Sequence, residues 1–581
     1  MSAGTMAVMA IWFGLVTGVV EGAGLLVSQH TGRLNSGLLL WVSPPILWIS
    51  PLAALLFFGC VLFLIALLRR LVPVARSSTL AVAVFCFFSI YDWMTVAAAG
   101  RVRHYALVML SLGFASVLTR QFPRYRLSTV DFFRRTLPWL VALVAVLVLG
   151  VQGGGALLEQ IEENALASAP PNSPNILLIV VDALRADHLS SYGYARITSP
   201  RLDGIAKEGV LFENAFATSS WSLPSHTSLL TGRYPHEHQA GEQNPSFDGR
   251  YPVVSSYLKD RGYRTGAFSA NTTYFARGVG LGTGFIHFED VFRSSGDIWI
   301  RTAYGREFYN GLQRIGNMPE LPGRRRATEM TSAILDWVDR GGEHPFFAMV
   351  NFVDAHEPYA SPLRFSSRFE GAKEGGSSSQ PGSALTLSDG KINSYDGAVA
   401  YVDDEIGRLI GELRKRKKNT LVLVTADHGE LFGEHGQFQH GQSLYREVIR
   451  VPLIMWWPGR IPAGLRIAQD VSCAAIPATI LSLVEGVSQS EFPGPSLTQG
   501  WSTSSEPAVW PYPLAELAFS RHSKSLVRDG WHYIRSGDLK IEIYDWSQDP
   551  GELSNLAMTP GGKARAQDFG THLNRLLAVR P

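Results

Sequence analysis

Three apolar runs in the second half of the chain stop at residues that can do chemistry. Asn175–Val181 (NILLIVV) ends at Asp182. Phe346–Val353 (FFAMVNFV) is followed by Asp354, His356 and Glu357. Thr420–Thr425 (TLVLVT) is followed by Asp427, His428 and Glu430. Short continuous apolar runs of this kind are expected of strands buried on both faces. In open α/β sheets, ligands bind just beyond the carboxyl ends of the strands. The three runs therefore direct carboxylates and imidazoles toward one sheet edge. A fourth segment, Ser219–Arg233 (SSWSLPSHTSLLTGR), supplies a hydroxyl: Ser222 stands just ahead of Pro224, a residue favoured in a first helical turn, and Gly232 can close the short helix. A hydroxyl there lies near unpaired backbone N–H groups and the positive end of the helix dipole. That setting suits a nucleophile attacking an anionic ester and suits holding the ester's oxygens. Taken alone, the same pattern also describes an ordinary N-cap serine.

The elements that would position these groups follow from the surrounding pattern. Apolar runs alternate with amphipathic segments, which predicts an α/β sandwich around a mostly parallel sheet. Between the second and third runs, Asp396–Lys417 reads as an amphipathic helix, with Val399, Val402, Ile406, Leu409, Ile410 and Leu413 at helical spacing. Its terminal basic run RKRKK is read as a solvated helix end that complements the dipole, with a lipid headgroup contact as the alternative. Farther on, Ser525–Arg528, Trp531–Arg535 and Leu539–Tyr544 read as strands of a small antiparallel sheet, with Asp529-Gly530 and Gly537-Asp538 as turns. Ala564–Val579 reads as a terminal helix. The Gly- and Ser-rich stretch 371–383 reads as a mobile loop.

At 581 residues the chain is too long for one compact core. Composition changes sharply near Gly150. Before it lie the apolar stretches Met6–Val27, Ile46–Leu68, Leu80–Ala98, Tyr105–Leu118 and Leu137–Val151, of which the first two approach the ~20 residues of a spanning helix and the fourth is short. Loop 69–78 carries Arg69, Arg70 and Arg76, and loop 119–136 carries Arg120, Arg124, Arg126, Arg134 and Arg135. The alternate loops hold Arg33, and Arg101 with Arg103. The positive-inside rule then places the N-terminus in the cytoplasm, and five spans put everything after Val151 outside. Nothing near Met1 looks like a cleavable signal, so the first span is expected to remain as an anchor. Glu21 and Asp92 fall inside or beside these spans, where an ionisable group either marks a functional position or packs against a neighbouring helix. The expected organisation is a multi-pass cell-membrane domain (1–151), a juxtamembrane linker (152–173), an extracytoplasmic α/β catalytic domain (174–463) and a C-terminal subdomain (464–581).

The bulk composition limits the function classes. Charged residues are 18% and the net charge is +2, so nothing points to nucleic acid. Of three cysteines, Cys60 and Cys86 lie in apolar stretches, leaving Cys473 alone in the rest. Neither a disulfide framework nor a CxxC zinc site is possible there.

Several blocks together resemble a known family. Ser222-Leu-Pro224-Ser225-His226, followed by Leu-Leu-Thr231-Gly232-Arg233, resembles the sulfatase signature, (Cys or Ser)-x-Pro-Ser-Arg with a Leu-x-Thr-Gly-Arg ending. NILLIVVDALRADHLSSYGY with SPRLDGIAKEGVLFENAFA resembles the family's opening segment. VNFVDAHEPY resembles its substrate-histidine segment, VTADHGELFGEHG its second metal-binding segment, and IYDWSQDPGELSNLA its usual ending. The blocks stand in family order over roughly residues 174–558. The chain is thereby identified as resembling the sulfatase family of the alkaline phosphatase superfamily, in its membrane-anchored bacterial or archaeal form. The resemblance implies one divalent metal ion held by Asp182, Asp427 and His428, with Ser222 or its modified form completing the shell. Such an ion neutralises the ester's non-bridging oxygens and favours the deprotonated nucleophile. It further implies that His356 binds the ester or protonates the leaving oxygen and that His440 is a cationic substrate contact. Asn244 and Asn271 are weaker contacts by the same resemblance, and His226 and Arg233 support the nucleophile loop.

The departures from the pattern keep alternatives open. Calcium-dependent sulfatases pair two aspartates at the first strand and place Asp-Asn at the second site; here Ala183 follows Asp182 and His428 follows Asp427. The set resembles those of phosphonate and phosphodiester hydrolases in the superfamily, so manganese and zinc stand beside calcium. A Gly-Lys-Trp-His block is absent. His226 stands where the enzyme that oxidises this position to formylglycine usually meets Arg, so an unmodified Ser222 forming a phospho-intermediate is the alternative to formylglycine. Three functions follow: a sulfate ester hydrolase; a phosphodiesterase or phospho-headgroup transferase acting on lipid or envelope glycan; and a non-catalytic membrane scaffold. The implied partners are an anionic ester substrate and the bilayer.

Overall fold

The computed structural model describes residues 2–30, 42, 44–71, 78–98, 101–290, 302–306, 325–369, 384–416, 418–486, 491–501, 512–517, 522–537 and 540–578. The expected loop 371–383, Arg33 and Arg76 lie outside them. The chain divides into two compact units, Met1–Asn164 with Val291–Arg324, and Ala165–Asp290 with Arg325–Pro581.

The first unit is built from α1 (Ala3–His30), α2 (Ile46–Leu71), α3 (Ser78–Ala98), α4 (His104–Gln121) and α5 (Arg126–Asn164). Four of these, all but α4, are long and apolar enough to cross a membrane. Gly14, Gly18 and Gly22 recur every fourth residue along one side of α1, and α2 passes directly over them. A Cβ on Gly18 would lie 2.3 Å from the Pro51 Cα, and one on Gly22 2.8 Å from the Ile46 carbonyl. Small residues at this spacing let helix backbones approach closely, which is how helices pack where no hydrophobic driving force separates them from lipid. Between α1 and α3, the buried hydroxyls of Thr17 and Ser89 hydrogen-bond at 2.7 Å. An aromatic cluster of Phe13, Phe58, Phe85 and Phe133 fills the other end of the bundle. The linker expected to begin at residue 152 does not: α5 continues through Gly153, Gly154 and Gly155 as one helix of 39 residues. Nothing crowds these glycines, and the helix period on either side carries through them.

The second unit holds an eight-stranded sheet in the order β10-β2-β9-β6-β1-β5-β3-β4. Its strands are β1 (Asn175–Val181), β2 (Val210–Phe216), β3 (Arg264–Ser269), β4 (His287–Glu289), β5 (Phe346–Phe352), β6 (Thr420–Thr425), β9 (Arg450–Trp456) and β10 (Leu465–Ser472). The predicted mostly parallel sheet is found, with β9 as the antiparallel member. β1 lies between β5 and β6, parallel to both. Its register pairs Val181 with Phe352 and Val180 with Thr425, so the three strands end at one level. The helices α6 (Ser222–Thr231), α7 (Ala327–Arg340), α8 (Ala384–Lys415) and α9 (Ile476–Glu485) complete the sandwich. β7 (Leu431–Phe432) and β8 (Phe438–Gln439) form a short hairpin past the sheet edge. α8 starts twelve residues before the predicted helix.

The C-terminal sheet is antiparallel, β11-β12-β13-β14 (Leu514–Leu517, Ser523–Arg528, Trp531–Arg535, Ile541–Asp545), and α10 (Pro560–Ala578) packs Ala566, Phe569 and Leu573 on it. β12 and β13 turn through Asp529 and Gly530, both with positive φ, as that dipeptide predicts. The sequence-based boundary at 464 falls too early, because β10 pairs in parallel with β2 and belongs to the large sheet.

Candidate active site

Each of the three central strands delivers its side chains at the same edge because its apolar run ends in register with its neighbours. Asp182 follows β1, Asp427 and His428 follow β6, and Asp354 and His356 follow β5. All but His356 are buried. Ligand atoms of Asp182, Asp427 and His428 lie within 4.8 Å of one another. His428 Nε2 is 3.6 Å from Asp182 Oδ1, 3.5 Å from Asp427 Oδ2 and 3.1 Å from Ser222 Oγ.

The electrostatics of this group ask for a cation. Asp182 Oδ1 and Asp427 Oδ2 are buried and make no hydrogen bond, a costly state for a carboxylate unless it is paired or coordinated. Burial, followed by repulsion from Asp182, pushes the Asp427 carboxyl up to about 7. Burial opposes the charge on Asp182 too, but His356, His428, His226 and the Asn271 amide outweigh it and hold that carboxyl below its usual range. Burial lowers His428 from the ordinary imidazole value despite the neighbouring carboxylates. Its Nδ1 donates to the Gly429 carbonyl at 2.9 Å; the Nε2 lone pair is thereby turned toward the two aspartates. Two hard carboxylate oxygens, one neutral imidazole and one hydroxyl form a donor set that fits a divalent metal ion such as zinc, manganese or calcium.

Around these groups stands a supporting layer. Asn271 Nδ2 donates to Asp182 Oδ2 at 2.7 Å, and its backbone N–H donates to Asn351 Oδ1. Asn271 thus orients a carboxylate rather than facing open space. Ala183 takes a positive φ of 60°, and its N–H points to Asp427 Oδ1 at 3.3 Å. Tyr395 donates its hydroxyl to the Ala183 carbonyl.

Ser222 is the first residue of α6, after Trp221 in extended conformation, and Gly232 closes the helix at φ 68°. All ten residues of α6 are buried. His226, one turn along, donates Nδ1–H to the Ser222 carbonyl at 2.8 Å, receives the Asn351 amide at its Nε2, and stacks on Phe275. It therefore braces the turn that carries Ser222. Arg233 lies beyond the far end of α6, about 15 Å along the axis from Ser222 at the usual helical rise. There it pairs with Glu237 at 2.8 Å and covers the Tyr251 ring. His356 and His440 come together at the mouth, rings 4.9 Å apart, and the His440 ring stacks 4.2 Å from that of His428. His440 Nδ1 is 3.0 Å from the fully buried Glu430, which also accepts the Tyr359 hydroxyl. This role for Glu430 was not anticipated from sequence, although its position three residues after Asp427 put it at the same strand end. Asn244 is exposed and lines a cavity of about 340 Å³ beside α6, with Trp221, Pro224, His236 and Lys524.

A mostly parallel sheet whose central strand ends gather two carboxylates and an imidazole beside a serine at a helix N-terminus has the make-up of an ester-processing enzyme. Comparison with known proteins narrows this. The sulfatase family model matches residues 174–487. Mouse iduronate 2-sulfatase is 27% identical over 360 residues, 53% of this chain and 63% of that protein. The arylsulfatase of Clostridium perfringens is 26% identical, covering 68% of this chain and 92% of its own. Among solved structures, the phosphonate monoester hydrolase of Agrobacterium radiobacter superposes with a TM-score of 0.56 at 20% identity, over 70% of this chain and 96% of that one. A protein solved with its substrate D-glucosamine-2-N,6-O-disulfate gives a TM-score of 0.56 at 18% identity, over 70% and 97%. The chain belongs to the sulfatase family. Residues 1–164 of the first unit precede the matched region, and Val291–Arg324 falls within it.

Proposed function

We propose that the protein is a metal-dependent hydrolase of sulfate esters, anchored in the cell membrane, and that the shorter α4 counts as a fifth span, which puts the catalytic unit on the extracytoplasmic face. The observation that carries this reading is the convergence of Asp182, Asp427, His428 and Ser222 on one buried point, with carboxylate oxygens that accept no hydrogen bond among the described residues. A divalent ion held by Asp182, Asp427, His428 and residue 222 supplies charge neutralisation of the ester oxygens and favours the deprotonated nucleophile.

The chain's own residues do the rest. With residue 222 as formylglycine hydrate, one hydrate oxygen attacks sulfur and the S–O bond to the leaving alcohol breaks. His356, at the mouth, gives that oxygen its proton. Loss of the proton from the second hydrate hydroxyl then expels sulfate and restores the aldehyde, which water rehydrates. His440, fixed by Glu430, binds the ester's remaining charge, and His226 holds the helix turn that carries residue 222.

The second reading, a phosphodiesterase or phospho-headgroup transferase using unmodified Ser222, is favoured by Ala183 and His428 at positions where calcium-dependent sulfatases carry Asp and Asn. The deciding measurement is the mass of the tryptic peptide Glu208–Arg233 from protein made in its native host, together with turnover of soluble aryl sulfate and aryl phosphodiester substrates. A peptide lighter by two hydrogens, with sulfate ester turnover, is the expected result. An unmodified serine with diester turnover alone overturns the first reading in favour of the second, and turnover of neither ester at any divalent metal overturns both.

A further inference from the structure

Between β4 and α7, the chain leaves the second unit and contributes Val291–Arg324 to the first. Of that stretch, Thr302–Arg306 is described, and its position is informative. The segment makes a single helical turn, closed by the Arg306 N–H to the Thr302 carbonyl and by the Gly305 N–H to the Thr302 hydroxyl. Thr302 and Ala303 are buried. The Tyr304 ring lies flat on Phe57 of α2, centroids 4.1 Å apart and planes 2° from parallel, with its edge toward Phe88 of α3. The Tyr304 hydroxyl donates to the Phe88 carbonyl. The Ala303 N–H donates to Glu21 Oε1 of α1 at 2.6 Å.

What the segment covers is a charged spot in an apolar bundle. Glu21 stands one turn beyond Thr17, and Asp92 about one turn beyond Ser89, so the two acids continue the interface that the Thr17–Ser89 hydrogen bond joins. They are 2% and 0% exposed, and neither Asp92 oxygen makes a hydrogen bond. Arg306 closes the turn whose Ala303 N–H meets Glu21, and from there its guanidinium favours the charged form of both acids. Two acids buried in such a place either stay protonated or meet a counter-charge. The chain brings one from more than two hundred residues away in sequence.

We propose that Thr302–Arg306 is an internal ligand of the membrane helices, with Arg306 as the counter-charge of Glu21 and Asp92 and Tyr304 as the apolar anchor. The α1–α3 face is then a binding surface specific for this sequence, and not an interchangeable anchor.

The test uses the full-length protein in native membranes, with Cys60 and Cys86 replaced by serine. Phe57→Cys is paired with Tyr304→Cys, and Thr17→Cys with Ser89→Cys as a control inside the bundle, each treated with a short bis-maleimide and read as linked tryptic peptides by mass. Both pairs are expected to link. A control that links while 57 and 304 do not overturns the placement. In the 57/304 background, Arg306→Gln is expected to cut the yield by at least about tenfold, since it leaves buried acids without a counter-charge, and Asp92→Asn added to it is expected to restore the yield. An unchanged yield in Arg306→Gln overturns the counter-charge assignment. The readout needs no substrate, so its failure is separate from failure of the ester-hydrolase reading.

Discussion

The molecule buries two pairs of carboxylates and deals with their repulsion in different ways. Asp182 and Asp427 come from neighbouring parallel strands and leave oxygens turned toward a shared point with His428 and Ser222. Glu21 and Asp92 come from neighbouring apolar helices, and the Ala303 N–H donates to Glu21, with Arg306 as the proposed counter-charge. An acid pair left open to convergent ligands is built for an ion that arrives from solution. An acid pair closed by the protein's own peptide is built for cohesion. The difference lies less in the acids than in what the chain places opposite them.

The strongest way to break this comparison is to remove one acid from each pair. Asp427→Ala is expected to lower turnover of a soluble ester by about 10³-fold or more, since it removes a ligand to the charge that stabilises the transition state. It is also expected to abolish the rise in melting temperature on adding manganese or zinc to chelator-treated protein. Asp92→Asn is expected to leave both within about twofold of the parent, because no substrate contact is lost. The reverse pattern would show that the functional acid pair had been misassigned.

A second, smaller effect sharpens the membrane side. Gly18→Leu places a side chain where Pro51 already lies, and overpacking of this kind costs about 1–3 kcal/mol or more. Melting of the detergent-solubilised protein is expected to show a weakened α1–α2 contact, with soluble-ester turnover retained.

An effect confined to acid pH separates histidines that face the site from one that only supports it. His238 is buried, its Nδ1 accepts the Ala240 N–H, and its Nε2 is 3.2 Å from the Ser228 hydroxyl on α6. Burial drives its imidazole down to about 3. Below pH about 6.5 the unfolded chain takes up a proton that the folded chain refuses. Stability should therefore fall as pH drops from there toward 3, by up to about 1.4 kcal/mol per pH unit for this one group. His238→Gln is expected to flatten that part of the melting-temperature profile, and an unchanged slope would assign the loss to other groups.

Much of the site could be read from sequence because it rests on local patterns that end together. NILLIVV and TLVLVT are found as strands at their expected limits, and β5 stops one residue short of the expected end. Ser222 begins a helix because Pro224 fits its first turn and Gly232 its close. What escaped depends on contacts distant in sequence. Nothing local in Asn271 or Glu430 says that one orients Asp182 and the other His440. The Gly14, Gly18, Gly22 spacing was visible, but its meaning depends on α2 lying across it. The three glycines at 153–155 read as a break, yet an unopposed helix tolerates them. Residues 302–306 carry no pattern that announces a partner in α1–α3; only the tertiary arrangement does.

The enclosure of α6 bears on the order of events in the protein's making. An enzyme that oxidises residue 222 must take the surrounding peptide into its own cleft, and here every residue from Ser222 to Thr231 is covered by the fold. If formylglycine is present, oxidation precedes folding. The window for that reaction is then set by the rate at which the emerging chain closes its sheet, and a slow-folding variant would be more completely modified than a fast one.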